Sequence, residues 1–400
     1  MEYQITPQSE IISRTARFQH LLQENDINGA LISQNTDLFY FSGTIQPSHL
    51  YIPADGEPVL AVHGDMGRVS KESGIANIVP AKNRNKLAEI LEGSGYRLQG
   101  RTGLEMDVLP ARRYLSLCRD FPGAQFVDMA ELIKTVRMIK SGYELAQFKK
   151  AYEILHKVLE KAQKEIRPGM TEIEVDGMLG GFSRAMGHQG LIRMRSYNQE
   201  MFYAHVYCGK TGSVPSFNVT PIGGQGPNPA IAQGAGANII VENTPIIIDY
   251  GVAINGYTTD VTRTFVIGEL SSDLLQAYAF AREVKHFMEG WVKPGRYCSG
   301  LYNEVTRMVR EAGYQDYFGG HKGNQVQFTG HGIGLEIDEY PLIAAGFNVE
   351  FQPNMVFAFE PKLVFPGTGA VGVEDDYVVT EDGLEKISTY DDDLLYIKRP

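Results

Sequence analysis

The stretch Thr244–Gly268, "TPIIIDYGVAINGYTTDVTRTFVIG", decides how the C-terminal part of this chain folds. Ile246 to Ile248 form a short apolar run of buried-strand type, and Val261 to Ile267 form a second β-run. Between them lies Asn255–Gly256, the dipeptide favoured in a two-residue type I′ turn because both central residues must take positive φ. With those two residues as the loop, Asp260 faces Gly251 and Asp249 faces Thr262. Side chains alternate along a strand, so Asp249 and Asp260 point to one face as diagonal neighbours. Gly251 leaves space opposite Asp260. Two carboxylates leaving an apolar strand on one face repel unless a cation lies between them.

A second acid pair lies near the C-terminus, in "MVFAFEPKLVFPGTGAVGVEDDYVV". Strand-like runs flank a Pro-Gly-Thr-Gly turn, and a hairpin centred on Gly367 brings Glu360 and Glu374 face to face. The adjacent Asp375 and Asp376 read as solvated acids beside a turn. Four carboxylates carry a charge that two divalent cations neutralise. In the segment "GHGIGLEIDEYP", Gly330–Pro341, His331 stands among glycines that allow close backbone approach, and it would add one imidazole. Carboxylates with one imidazole suit Mn²⁺, Fe²⁺, Co²⁺ or Zn²⁺ better than a thiolate site would.

The remainder of the sequence frames this cluster. With 400 residues, 43% hydrophobic and 21% charged, the composition is that of a globular protein of two or three domains. A net charge of −11 argues against nucleic acid or an anionic membrane surface as the main partner. Three scattered cysteines without a C-x-x-C pair point to a reducing cytosol, and the N-terminus lacks signal-peptide character, so a cytoplasmic location is expected. No apolar run approaches the ~20 residues of a membrane helix.

The first third alternates helix and strand signals: a helix at "RTARFQHLLQEN", a strand at "NGALIS", β-runs at "LFYF" and around Asp55–Gly56, then helix, strand, helix from about Ala111, and strand. This α/β domain is expected to occupy residues 1–137, with a second domain over 138–400. The second domain opens with a long helix whose start carries a Ser141–Glu144 capping box, and Thr171–Glu174 caps the next helix. Ala151–Tyr152 and Pro168–Gly169 recur at Ala277–Tyr278 and Pro294–Gly295, 126 residues later. The echo reads as a duplicated helix–turn–helix half with a site between two halves.

The set "DYGVAINGYTTD", "GHGIGLE", "FEP" and "VED" resembles the pita-bread metallopeptidases, the family of prolidase, creatinase and aminopeptidase P. The resemblance implies an α+β protein: a creatinase-type N-terminal domain followed by a pita-bread catalytic domain of two related αβ halves. It further implies two divalent metal ions, manganese foremost. Asp249 would hold one ion, His331 with Glu360 the other, and Asp260 and Glu374 would bridge them. Glu360 would shuttle the proton of a metal-bridging hydroxide that attacks an Xaa-Pro peptide bond. A homodimer is also implied.

Other parts of the family pattern are absent. Histidines of the family's peptidases are replaced by Ala232, Gln327 and Asp338, and an arginine by Gly372. Those groups orient the scissile carbonyl and stabilise the tetrahedral intermediate, which an anionic carboxylate does badly. His205, in "FYAHVYCG", is a candidate to supply an imidazole to substrate, against a plain role as an aromatic-packed strand residue. Three readings follow: an Xaa-Pro dipeptidase or aminopeptidase with a rebuilt substrate shell; a metal-dependent lyase on a small zwitterionic substrate with Asp338 as base; and, behind both, a non-catalytic binding protein.

Overall fold

The computed structural model describes residues 3–82, 86–201 and 204–399. Chain contacts divide it into two units, Met1–Arg137 with Arg195–Tyr197, and Met138–Met194 with Asn198–Pro400.

The first unit is built on a six-stranded mixed sheet. Its order across the sheet is Asn77–Pro80, Val59–Val62, Ser48–Pro53, Gly29–Ile32, Gly100–Leu104 and Ala124–Asp128. Helices such as Gln8–Glu24 cover it through apolar residues including Phe18 and Leu22, both fully buried. The segment "LFYF", expected as a strand, lies in the helix Asn35–Ser42. Local chemistry overrides its β-prone aromatics: the Gln34 side chain accepts a hydrogen bond from the Asp37 amide, and Gly43 ends the helix at φ 81°. Leu38 and Phe41, three residues apart, then share a buried face.

The second unit opens with the helix Gly142–Glu165, whose Ser141–Glu144 capping box is formed in both directions, followed by Glu172–Met186 with the Thr171–Glu174 box. The helices Ser272–Trp291 and Cys298–Glu311 repeat that arrangement, and Cys298 follows Glu172 by the same 126 residues as the sequence echo. Each helix pair is associated with a sheet, the first antiparallel except for a parallel edge strand and the second antiparallel throughout. One places Ala204–Cys208, Ile246–Tyr250, Val261–Ile267 and Leu395–Ile397 side by side. The other places Glu339–Ala344, Phe328–Gly332, Val356–Phe359, Asp375–Val379 and Leu384–Lys386 side by side. A core of residues such as Ala281, Val284, Met288, Phe357 and Val371 packs the second helix pair onto its strands.

Asp375 and Asp376, expected as solvated acids, are fully buried in the strand Asp375–Val379. For Asp375 the reason is a buried cation: Arg263 Nη2 donates to Asp375 Oδ1 at 2.6 Å, and Arg263 Nη1 donates to the Glu374 carbonyl at 2.7 Å. Further donors surround the same carboxylate, with Ser388 Oγ at 2.5 Å from Oδ1 and Lys386 Nζ at 3.0 Å from Oδ2. Removing the acid strands a fully buried guanidinium. Asp375→Ala is therefore expected to cost about 3–5 kcal/mol in denaturant unfolding. Asp393, which pairs with Arg282 at the surface and whose side chain is 63% exposed, should change stability by less than about 0.5 kcal/mol when replaced by alanine.

Candidate metal centre

The first acid pair stands as the hairpin register requires. Val261 pairs with Tyr250 and Thr262 with Asp249, and the short Ala253–Ile254 and Tyr257–Thr258 strands continue the same register to the Asn255–Gly256 turn. The space opposite Asp260 is not empty. An added Cβ at Gly251 would lie 2.2 Å from Ile192 Cδ1 and 3.0 Å from the Thr259 carbonyl, so glycine lets Ile192 approach the acid's strand. The neighbouring strand Ala204–Cys208 sets His205 directly across from Asp249. His205 is buried and its Nε2 has no hydrogen-bond partner; burial holds its pKa below the usual value, against the pull of Asp249. Phe202 and Tyr203, which precede it in the quoted motif, lie outside the described residues.

The second hairpin joins Lys362–Phe365 to Gly369–Gly372 with Lys362 opposite Gly372. Two residues beyond that ladder, and next to the Phe359–Asp375 pair, the same register sets Glu360 opposite Glu374. His331 arrives from Phe328–Gly332, where it pairs with Ala358. His331 Nδ1 lies 3.0 Å from the Ile337 carbonyl. Nδ1–H is the donor in that contact, which leaves the Nε2 lone pair directed inward. There it is 3.7 Å from Asp260 Oδ2 and 3.7 Å from Glu360 Oε1. One ligand atom each from Asp260, His331 and Glu374 lies within 4.8 Å of the others. Glu374 Oε1 is buried without a hydrogen-bond partner.

These groups fit a divalent cation. An imidazole lone pair, an unpartnered carboxylate oxygen and two further carboxylates turned toward one point are an arrangement that a cation relieves. Without one, burial and then the Glu374 and Asp249 charges hold the Asp260 pKa well above the usual range. Glu374 is pushed up to about 7, by burial first, with Lys362 opposing. His331 is raised, its burial outweighed by the charges of Asp338, Glu360 and Glu374.

Asp338 lines the same pocket but on the other side of the imidazole, with Oδ1 3.6 Å from His331 Nδ1. Its side chain is 45% exposed, so water screens much of the upward push that desolvation gives its pKa. Gln327 is exposed on the wall of an adjoining cleft, and Ala232 is half-buried and offers no polar side chain. The pocket over the acids has a volume of about 40 Å³ and shares Val219, Thr220 and Phe328 with that cleft, of about 510 Å³.

Three residues of this site escaped the sequence reading. Thr262 Oγ1 donates to Glu374 Oε2 at 2.8 Å, and Asp376 Oδ2 accepts from the Asp260 amide at 2.9 Å. The third is Lys362, two residues after Glu360 and hence on the same side of the chain. Its buried Nζ contacts Glu374 Oε2 at 2.7 Å, Glu360 Oε2 at 3.0 Å and Asp249 Oδ2 at 3.1 Å. Period-two alternation from Glu360 with a glycine opposite was the signal available for it.

Residues 146–381 match the model of metallopeptidase family M24, more than half of the chain. The chain belongs to that family. Residues 14–139 match the creatinase/prolidase N-terminal domain, and the pita-bread fold with an α+β class follows. An Xaa-Pro dipeptidase of Lactobacillus delbrueckii subsp. lactis is 27% identical over 380 residues, which cover 92% of this chain and 95% of that protein. An Xaa-Pro dipeptidase of Pyrococcus furiosus is also 27% identical, over 388 residues covering 96% and 99%. Among solved structures, an Xaa-Pro dipeptidase from Bacillus anthracis superimposes with a TM-score of 0.81 at 25% identity, over 96% of this chain and 99% of that one.

Gly372, where the resemblance led an arginine to be expected, stands in close quarters with Lys362. A Cβ at residue 372 would lie 2.7 Å from the Pro361 carbonyl, 2.8 Å from Lys362 Cα and 2.9 Å from Lys362 Cγ. Gly372→Ala should therefore displace the lysine and destabilise the protein by about 1–3 kcal/mol in chemical unfolding, the usual cost of overpacking.

Proposed function

We propose that this M24 protein is a divalent-cation-dependent hydrolase of Xaa-Pro dipeptides or short Xaa-Pro peptides. The observation that carries the reading is the convergence of His331 Nε2, Asp260, Glu360 and the unpartnered Glu374 Oε1 on the floor of one pocket. His331, Asp260, Glu360 and Glu374 would hold the cation, with Asp249 at the edge of the set through Lys362. A cation held there polarises a carbonyl and lowers the pKa of water. Oxygen-rich donors with one imidazole and no thiol favour Mn²⁺.

Glu360 is placed to take a proton from attacking water and return it to the leaving amine. The Nδ1 contact of His331 with the Ile337 carbonyl keeps its tautomer fixed through that exchange. His205, neutral by burial and with a free Nε2, is the imidazole available to meet the substrate on the Asp249 side. A pocket of about 40 Å³ takes the reacting carbonyl alone, and the remainder of a dipeptide extends past Phe328 into the larger cleft. The names of the relatives support this substrate class. A cytosolic homodimer belongs to the same proposal; among the described residues no helix is long and apolar enough to cross a membrane.

A second reading rests on Asp338. A carboxylate, rather than an electrophile-orienting histidine, lines the pocket with its side chain 45% exposed, as a base for metal-assisted elimination would.

Protein loaded with Mn²⁺, Fe²⁺ or Zn²⁺ and offered Xaa-Pro dipeptides, longer Xaa-Pro peptides and small zwitterionic elimination substrates separates the two. Release of proline is expected, and absence of any Xaa-Pro cleavage under all three metals sinks the hydrolase reading. Glu360→Gln should lower kcat by about 10²–10⁴-fold. Asp338→His should raise Xaa-Pro turnover if the site is a peptidase with an altered substrate shell; a fall assigns Asp338 a role of its own.

A further inference from the structure

Lys362 has no counterpart in the chemistry described so far, yet it touches three of the five cation-site residues. Its Nζ lies 2.7 Å from Glu374, 3.0 Å from Glu360 and 3.1 Å from Asp249, and the side chain is 2% exposed. An ammonium has three N–H donors, and three carboxylates surround it. The contacts also divide the acids. Glu360 and Glu374 each give Oε2 to the lysine, while Glu360 Oε1 faces His331 Nε2 and Glu374 Oε1 is left without a partner. One oxygen of each glutamate is thus committed to the ammonium, while the other faces His331 in Glu360 and stays unpartnered in Glu374.

A divalent ion held by carboxylate oxygens sits about 2.0–2.2 Å from each. An ion bound between Asp249 Oδ2 and Glu374 Oε2 would fall in the space the ammonium fills and would meet it as a like charge. The hairpin is shaped for this side chain, since Gly372 opposite it has no Cβ to collide with Lys362 Cγ. The residues therefore fit one divalent ion and do not fit two.

We propose that the Lys362 ammonium is a built-in cation that replaces the ion on the Asp249 side of the family's pair, leaving this chain with a single divalent ion held by His331, Asp260, Glu360 and Glu374. This rests on the cation-dependent reading above and specifies how many ions that reading requires. Asp249 then acts through the lysine as a positioning residue.

Metal stoichiometry tests it independently of turnover. The full chain, stripped with chelator, is titrated with Mn²⁺ by calorimetry, and the metal retained after gel filtration is measured by elemental analysis. One ion per chain is expected for the wild type and two for Lys362→Ala, whose second ion takes the vacated carboxylate oxygens. Two ions in the wild type, or one in both proteins, overturn the lysine's role and leave the cation-dependent reading standing. No ion in the wild type overturns both. Should Lys362→Ala fail to fold, anomalous scattering from wild-type crystals grown with Mn²⁺ decides the matter: one peak beside His331 is expected. A second peak beside Asp249 with Lys362 swung away overturns the proposal.

Discussion

Four carboxylates brought within a few ångströms of one another in a buried pocket are the constraint on which this structure depends. Their mutual repulsion, added to the loss of hydration, makes the charged arrangement unstable without positive charge in its midst. The chain supplies part of that charge itself. Lys362 neutralises the Asp249 side and takes one oxygen each from Glu360 and Glu374. The other side, with His331 Nε2 and the unpartnered Glu374 oxygen, is left to an ion from solution. A covalently tethered ammonium and a diffusible ion differ in kind: the first is always present and donates hydrogen bonds, whereas the second accepts lone pairs and acts as a Lewis acid. A pocket with one of each is electrostatically asymmetric, and its chemistry is directed to the His331 side.

The layer behind the acids is as ordered as the acids themselves. Arg263 holds the Glu374 carbonyl and the Asp375 carboxylate together, and Asp376 receives the Asp260 amide. Burial raises the pKa of Asp376 well above the usual range, opposed by the hydrogen bond it accepts from the Asp260 amide. The strand Asp375–Val379 therefore has two functions. Its apolar face joins the core, and its first two residues fix the backbone from which Glu374 and Asp260 project.

Much of this was legible in the sequence because hairpins leave strong local signals. Asn255–Gly256 fixed a register, and alternation then placed Asp249 and Asp260 on one face without any knowledge of the tertiary fold. The same held for Glu360 and Glu374 about Gly367. Capping boxes at Ser141 and Thr171 marked two helix starts to the residue. What failed had two causes, end signals that outweighed composition and contacts distant in sequence. "LFYF" has strand composition, and its helix is set by Gln34 and Gly43 at its ends. Asp375 looks like a surface acid until Arg263, more than a hundred residues away, is folded against it, and Asp376 until the equally distant Asp260 amide donates to it. Lys362 was readable in principle, two residues beyond Glu360 and opposite a glycine, but a lysine in a short β-run ordinarily points to solvent.

The two-residue turn at Asn255–Gly256 carries a consequence for how this chain tolerates change in length. Surface turns are usually where insertions and deletions accumulate, since added residues cost little chain entropy. Here the turn also sets the phase of everything that follows it. One residue gained or lost between Ile254 and Tyr257 either forces a bulge or moves Asp260 to the opposite face from Asp249, separating the acids while leaving the strands paired. The loop is thus fixed in number, and its identity is held as well, by the positive φ of both residues and by the bonds that Asn255 Nδ2 and the Gly256 amide donate to Gln147 and Gln189.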